Sequence, residues 1–298
     1  MKEQSIAFLG LGLISGSLAG ALRGAGWQGE LLAWGPRAPS LERGLELGLI
    51  DRFTLDLEAA VASADMVVIG APPKATADLL PQVLSLAVQG TRGKRPVVTD
   101  MASIKGWIVD AADPGYSRFV PGHPIAGSEH SGVDAAHASL FDGREVILTP
   151  LANSEPEAVE AVSQMWRLTG ARITTMSVSE HDAVLAASSH MPHMLAYALT
   201  GVLDGATQDA MKHGGGALRD MTRIAASDPL MWREIALTNR ASLLDAIDAF
   251  DGQLAQLREW IANADGDALD QFFTRCQAVR RAHDAILNPI RDHAEAKK

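Results

Sequence analysis

The sequence predicts an α/β fold, a doubly wound parallel sheet followed by an all-helical domain, and three observations carry this reading. Short, wholly apolar runs alternate with helical spacing from Ser5 to Met176. A glycine-rich turn stands between the first apolar run and the first helix. Beyond Met176 strand-like runs vanish and helical periodicity continues to the end. A chain of 298 residues also exceeds the size at which one core keeps growing, so two domains are expected, 1–177 and 178–298.

Ser5 to Leu9 is the first strand, Gly10 to Ser17 the turn and helix start, and Leu18, Ala21 and Leu22 the apolar face of the helix. Leu31 to Trp34 follows as a parallel strand that stops at Gly35-Pro36-Arg37, with a helix from Ser40 to Leu47. Met66 to Ile69 repeats the pattern, closed by Ala71-Pro72-Pro73, a helix through Leu84 and the strand Val97 to Asp100. Arg118–Pro121, Glu145–Thr149 and Ala171–Met176 are read as further strands of the same sheet, with a helix from Glu155 to Leu168. Together these make a Rossmann-type sheet. In the helical domain Leu243, Ile247, Phe250, Leu254, Leu257 and Ile261 recur at steps of 4, 3, 4, 3 and 4. Such a seam serves either a contact within the domain or a homodimer through it, and its length on so small a domain favours the homodimer.

A net charge of −10 speaks against nucleic acid as a partner, since a phosphate backbone demands a basic face. A small anionic substrate stays compatible if a few arginines are focused in one pocket. The single cysteine, Cys276, rules out an internal disulfide, suits a reducing compartment and is read as a helix core residue. No apolar run approaches the length of a membrane span, and Ile6–Leu9 leads into glycines rather than a cleavage site, so no membrane partner and a cytoplasmic location are expected.

In Gly10-x-Gly12-x-x-Ser15, Gly10 permits a tight turn, and Gly12 lets the amides of Leu13, Ile14 and Ser15 approach a pyrophosphate at the positive helix end. Ala71 and Pro72, closing the Met66–Ile69 strand, complete the expected cofactor site of a nicotinamide dinucleotide. The second strand carries no acid to grip an adenosine ribose. Arg37 stands there instead, suited to a 2′-phosphate, so NADP is preferred over NAD; the alternative is a solvated loop charge and loose acceptance of NAD.

Polar motifs then gather at the carboxyl ends of the strands and in the helical half. They are Asp100-x-x-Ser103-x-Lys105, Gly122-His-Pro-Ile-Ala-Gly-Ser-Glu129, Ser189-His-Met-Pro-His193, Arg219-Asp-x-Thr-Arg223-Ile-Ala and Ser227-Asp-Pro-x-Met-Trp232. With Gly10–Ser17, in this order along almost the whole chain, they resemble the prephenate and arogenate (cyclohexadienyl) dehydrogenases of tyrosine biosynthesis.

The resemblance implies an oxidative decarboxylation in which the hydroxyl-bearing ring carbon gives a hydride to the nicotinamide, carbon dioxide leaves and the ring becomes aromatic. It makes His123 the catalytic histidine, a hydrogen-bond acceptor for the substrate hydroxyl. Taken alone, His123 reads equally as a capping or core residue in a loop. Ser103 matches an orienting serine near that hydroxyl and the nicotinamide, though its position also suits a helix N-cap. Arg223 matches the arginine on the ring carboxylate and His190 a substrate-side histidine. Ser128, Glu129, Asp220 and Trp232 fall on positions lining or gating the pocket; read alone, Glu129 is a solvated acid, Asp220 a helix cap and Trp232 a core aromatic. Lys105 faces either the cofactor or solvent. His181, His190 and His193 lack the spacing of a zinc motif, and no metal is expected. A β-hydroxyacid or imine-type dehydrogenase shares the architecture but gives no reason for His-Pro-x-Ala-Gly-Ser-Glu. A non-catalytic dinucleotide sensor would not need the polar groups collected at one sheet edge.

Overall fold

The computed structural model describes residues 4–90, 95–112, 115–127, 130–205 and 210–287. The chain divides into two compact units, Met1–Leu243 and Leu244–Lys298.

The first unit opens with β1 (Ile6–Leu9), α1 (Leu13–Gly24), β2 (Leu31–Trp34), α2 (Pro39–Glu46), β3 (Arg52–Thr54), α3 (Leu57–Ser63), β4 (Met66–Ile69), α4 (Pro73–Gln89), β5 (Val97–Asp100), α5 (Gly106–Asp110) and β6 (Phe119–Val120). The strands form one sheet, ordered β3-β2-β1-β4-β5-β6, with every neighbouring pair parallel. Alternate residues serve opposite faces. Ile6, Phe8, Met66 and Val68 pack with Leu18, Leu22 and Trp166, while Ala7, Leu9, Val67 and Ile69 pack with Leu80, Val83 and Leu84. Both faces are thus covered, which is why these strands are uninterrupted apolar runs. The strand order reverses between β1 and β4, and the crevice beyond their carboxyl ends is where ligands bind in such sheets.

The later strands depart from the expectation. β7 (Gly122–Pro124), β8 (Glu145–Leu148) and β9 (Arg172–Thr175) make a separate three-stranded sheet, with β7–β8 antiparallel and β8–β9 parallel. Pro121 is the break: it has no N–H to give a ladder, and its carbonyl accepts from Thr149 N instead, at 2.9 Å. His123 therefore lies on a strand, opposite Ile147, and not in a loop. The short strand β3, partly exposed throughout, has no counterpart in the sequence reading.

After α6 (Pro156–Arg167) and β9 the unit turns helical: α7 (Val178–Leu185), a π-helical turn (Ala186–His190), α8 (Met191–Asp204), α9 (Gly216–Thr222), α10 (Pro229–Thr238) and the start of α11 (Arg240–Ala262). Trp232 and Ile235 of α10 bury against Ile104, which follows β5, with Met194 and Tyr197 of α8 alongside.

The second unit contains the rest of α11, then α12 (Gly266–Ala282) and α13 (Asp284–Leu287). Asp265 caps α12 by accepting from Ala268 N at 3.0 Å. Trp260 and Phe272 pack with centroids 5.6 Å apart. Cys276 is exposed, contrary to its reading as a core residue, on a helix, α12, that buries none of its residues. Among the described residues no helix is long and apolar enough to cross a membrane.

Candidate active site

The glycine turn is built by backbone geometry. Gly10 has φ +95°, and a Cβ there would stand 3.0 Å from the Gly70 carbonyl, so β1 and β4 end in close approach. Gly12 caps α1 in an extended conformation without a side-chain hydrogen bond, and a Cβ on it would meet nothing within 4 Å. The first helical bond runs from Gly16 N to Gly12 O, which leaves the amides of Leu13, Ile14 and Ser15 to an outside acceptor. The Ser15 hydroxyl is buried without a hydrogen-bond partner among the described residues. Ala71 and Pro72 border the same turn, and Pro72 is the N-cap of α4. Open space before uncapped amides at a helix N-terminus fits the pyrophosphate of a dinucleotide. Arg37 is exposed beyond β2.

At the end of β5 a buried ion pair fixes the next segment. Lys105 Nζ bonds the Asp100 carboxylate and, at 2.6 Å, the Gly122 carbonyl. Burial pulls the ammonium below its ordinary pKa while Asp100 opposes the shift. Lys105 thus faces neither cofactor nor solvent; a cation this deep is held by its acid. Ser103 is half-buried on the intervening turn. It does not cap α5, because Asp182 does so from α7, accepting from Lys105 N at 2.9 Å and Gly106 N at 2.8 Å.

The same acid anchors a histidine cluster. His181 Nδ1 lies 2.7 Å from Asp182 Oδ1, and His181 Nε2 lies 2.9 Å from Nδ1 of His123, itself only 8 % exposed. Asn239 Nδ2 donates to the Asp182 main-chain carbonyl at 2.9 Å and to His190 Nδ1 at 3.1 Å. His190 meets the Trp232 ring edge-on at 6.1 Å, and Trp232 stacks on His193 at 3.5 Å. Arg223 is exposed; burial lowers the pKa of His193, the bond to the Ser189 carbonyl opposes that shift, and the Arg223 charge adds to it. Asp220 is exposed and pairs with Arg219 at 3.2 Å; no described contact joins it to the histidines. Ser128 and Glu129 lie outside the described residues.

Electrostatics sharpen the roles. Burial first, then the charges of His181, Lys105 and His190, hold His123 well below the usual histidine pKa, so its ring is neutral at pH 7. Burial also takes His190 down to about 4. Burial works against the Asp182 charge, but the bonds from His181 and from the Lys105 and Gly106 amides outweigh it and keep the carboxylate ionised. Asp182 and Asn239 escaped the sequence reading, and His181 was weighed only as a false metal ligand. The available signal was a histidine–aspartate pair on the buried face of a helix.

A cavity of about 490 Å³ lies elsewhere, lined by Gln4, Asp65, Arg95 and Arg118 near the amino ends of β4 and β5. Its two arginines are engaged with Glu155.

Residues 18–175 match the family model for the prephenate dehydrogenase nucleotide-binding domain, and residues 177–275 that for the prephenate dehydrogenase dimerization domain. This chain belongs to the prephenate dehydrogenase family. The family resemblance read from the motifs is borne out, although the glycine turn itself lies just ahead of the first matched residue. A cyclohexadienyl dehydrogenase of Zymomonas mobilis is 35 % identical over 93 % of this chain and 95 % of its own length. A prephenate dehydrogenase of Bacillus subtilis is 32 % identical over 94 % of this chain and 76 % of its own. Among solved family structures, prephenate dehydrogenase from Aquifex aeolicus in complex with hydroxyphenyl propionate and NAD+ superposes with a TM-score of 0.86 at 30 % identity, covering 95 % of this chain and 99 % of that one. Synechocystis arogenate dehydrogenase gives 0.82 at 27 % identity, covering 94 % and 99 %.

Proposed function

We propose that this chain catalyses the oxidative decarboxylation of prephenate, arogenate or both, in tyrosine biosynthesis, with a nicotinamide dinucleotide as hydride acceptor. The observation that carries this reading is a buried, neutral imidazole, His123, tied through Gly122 and Lys105 to the carboxyl end of β5, on the sheet edge that also holds the glycine turn.

The cofactor, when bound, accepts the hydride from the hydroxyl-bearing ring carbon. His123 holds the hydroxyl proton as that hydride leaves, with the ring nitrogen that His181 does not engage. The electrons of the bond to the ring carboxylate then enter the ring, carbon dioxide departs, and the proton returns to the phenolic oxygen. Ser103 orients the hydroxyl. Because Asn239 donates to its Nδ1, His190 carries its own hydrogen on Nε2, a donor suited to a carboxylate oxygen. Arg223, whose charge reaches His193, supplies positive charge for the small anionic substrate, and the family resemblance assigns Ser128, Glu129, Asp220 and Trp232 to the same substrate. Gly10, Gly12, Leu13, Ile14, Ser15, Ala71 and Pro72 hold the dinucleotide. Arg37, with no carboxylate among residues 34–38, supports NADP over NAD. Two copies pair through α11, where Leu254 and Ile261 are 52 % and 65 % exposed, within the segment matched to the dimerization domain.

The test is reduced-cofactor absorbance with prephenate and with arogenate, each with NADP and NAD. Turnover of at least one substrate is expected, with higher kcat/KM for NADP. His123→Asn is expected to lose about 10²- to 10⁴-fold in kcat with cofactor affinity intact. No reduction with either substrate overturns the reading, and a preference for NAD removes the role given to Arg37.

A further inference from the structure

We propose that His181 and Asp182 are positioning residues for His123, a hydrogen-bonded relay that decides which of its ring nitrogens is bare toward the substrate. The inference rests on the function proposed above.

Asp182 is the fixed end. Its Oδ2 accepts from Gly106 N at 2.8 Å, and its Oδ1 accepts from Lys105 N at 2.9 Å while lying 2.7 Å from His181 Nδ1. An ionised carboxylate only accepts hydrogen bonds, so the hydrogen of His181 stands on Nδ1. Its Nε2 is then a bare acceptor. At 2.9 Å from His123 Nδ1, that acceptor calls for a hydrogen on His123 Nδ1, which leaves the lone pair of His123 on Nε2. This is the form that can take a hydroxyl proton. Asn239, donating to the Asp182 carbonyl, holds the backbone of the dyad as well.

The relay also gives the charge somewhere to go. As His123 Nε2 takes the hydroxyl proton, the Nδ1 hydrogen can pass to His181 Nε2, so that the imidazolium stands against the Asp182 carboxylate. On return of the proton to the phenolic oxygen every step reverses, with only N–H and O–H bonds made and broken. The other groups facing His123 are Lys105, from the turn after β5 and itself paired with Asp100, and His190, from the π-helical turn. Both are cationic when charged, so the acid aligned with the His123 ring is Asp182.

The tautomer is measurable on the wild-type protein by nitrogen-detected histidine NMR, with the His123 signal assigned by its loss in His123→Asn. A hydrogen on Nδ1 is expected; a hydrogen on Nε2 overturns the proposal. In kinetics, His181→Leu is expected to lower kcat roughly 10²-fold with KM and cofactor Kd within about twofold. His181→Gln, whose carboxamide oxygen can accept from His123 Nδ1, is expected to recover part of the loss. In the His123→Asn background His181→Leu is expected to cost nothing further. A penalty that persists without His123 would make His181 structural and overturn the relay. Absence of wild-type turnover would instead strike the proposed function, while the tautomer measurement still reads the relay.

Discussion

Lys105 and Asp100 form an ion pair in which neither side chain reaches solvent, and the same ammonium holds the Gly122 carbonyl next to His123. Removing only the cation leaves Asp100 buried with the amides of Ala102 and Gly122 as its donors. Lys105→Met is therefore expected to cost about 3–5 kcal/mol of stability, seen as a lower urea midpoint. A loss below about 1 kcal/mol would mean that the pair contributes little against its own desolvation.

The two glycines of the turn separate folding from binding. Gly10→Ala meets both a positive φ and the Gly70 carbonyl, and should cost about 1–3 kcal/mol in urea unfolding. Gly12→Ala meets open space, so stability should hold within about 0.5 kcal/mol. Its methyl would occupy the dinucleotide's place, and Kd measured by fluorescence titration should rise roughly tenfold or more.

Acid should destabilise the protein through its buried histidines. His190 falls from 6.5 to about 4 on folding, so below pH 6.5 the unfolded chain takes up a proton that the folded one resists. Stability is lost progressively as pH falls from 6.5 towards about 4. At about 1.36 kcal/mol per pH unit over that interval, this residue contributes about 3 kcal/mol. His123 acts in the same direction. Urea unfolding of the wild type and of His190→Gln at pH 7 and about pH 4.5 should show the variant losing less on acidification; equal losses would remove His190 as a cause.

Arg223→Ala should raise KM for the substrate by about ten- to hundredfold, the worth of one or two charge-assisted bonds, while kcat falls much less. A grip on a carboxylate that must leave contributes binding rather than acceleration. Steady-state kinetics at saturating cofactor decide this, and an unchanged KM would remove Arg223 from the substrate site.

The doubly wound sheet was legible because its strands are buried on both faces and therefore written as continuous apolar runs, Met66 to Ile69 above all. Glu145–Leu148 is written much the same way but belongs to another sheet. Apolar character reports burial, not pairing, and only Pro121 marked the break. Gly10 and Gly12 were legible because backbone geometry demands glycine at Gly10 and the approach of the proposed dinucleotide accounts for it at Gly12. Asp182 was not, since its partners Lys105 and Gly106 lie 77 and 76 residues away and nothing local marks an acid as the cap of a distant helix. Lys105 was misjudged for the same reason: the segment shows a lysine near a helix start but not the depth at which Asp100 and Gly122 receive it. Cys276 reads as a helix core residue rather than a nucleophile for want of an apparent basic partner, but that absence does not say which face of the helix is covered.

The π-helical turn at Ala186–His190 has a geometric consequence for the histidines on either side of it. Nine residues separate His181 from His190, and at about 100° each an unbroken α-helix would set them about 180° apart, on opposite sides. A wide turn that absorbs one extra residue brings the angle nearer 80°. Straightening that turn into regular helix with every residue kept would swing His190 away from Asn239, and every later side chain of α8 would rotate with it, whereas deleting one residue there would leave the phase as it is. The irregular turn acts as a phase-setter for the whole second stretch of helix.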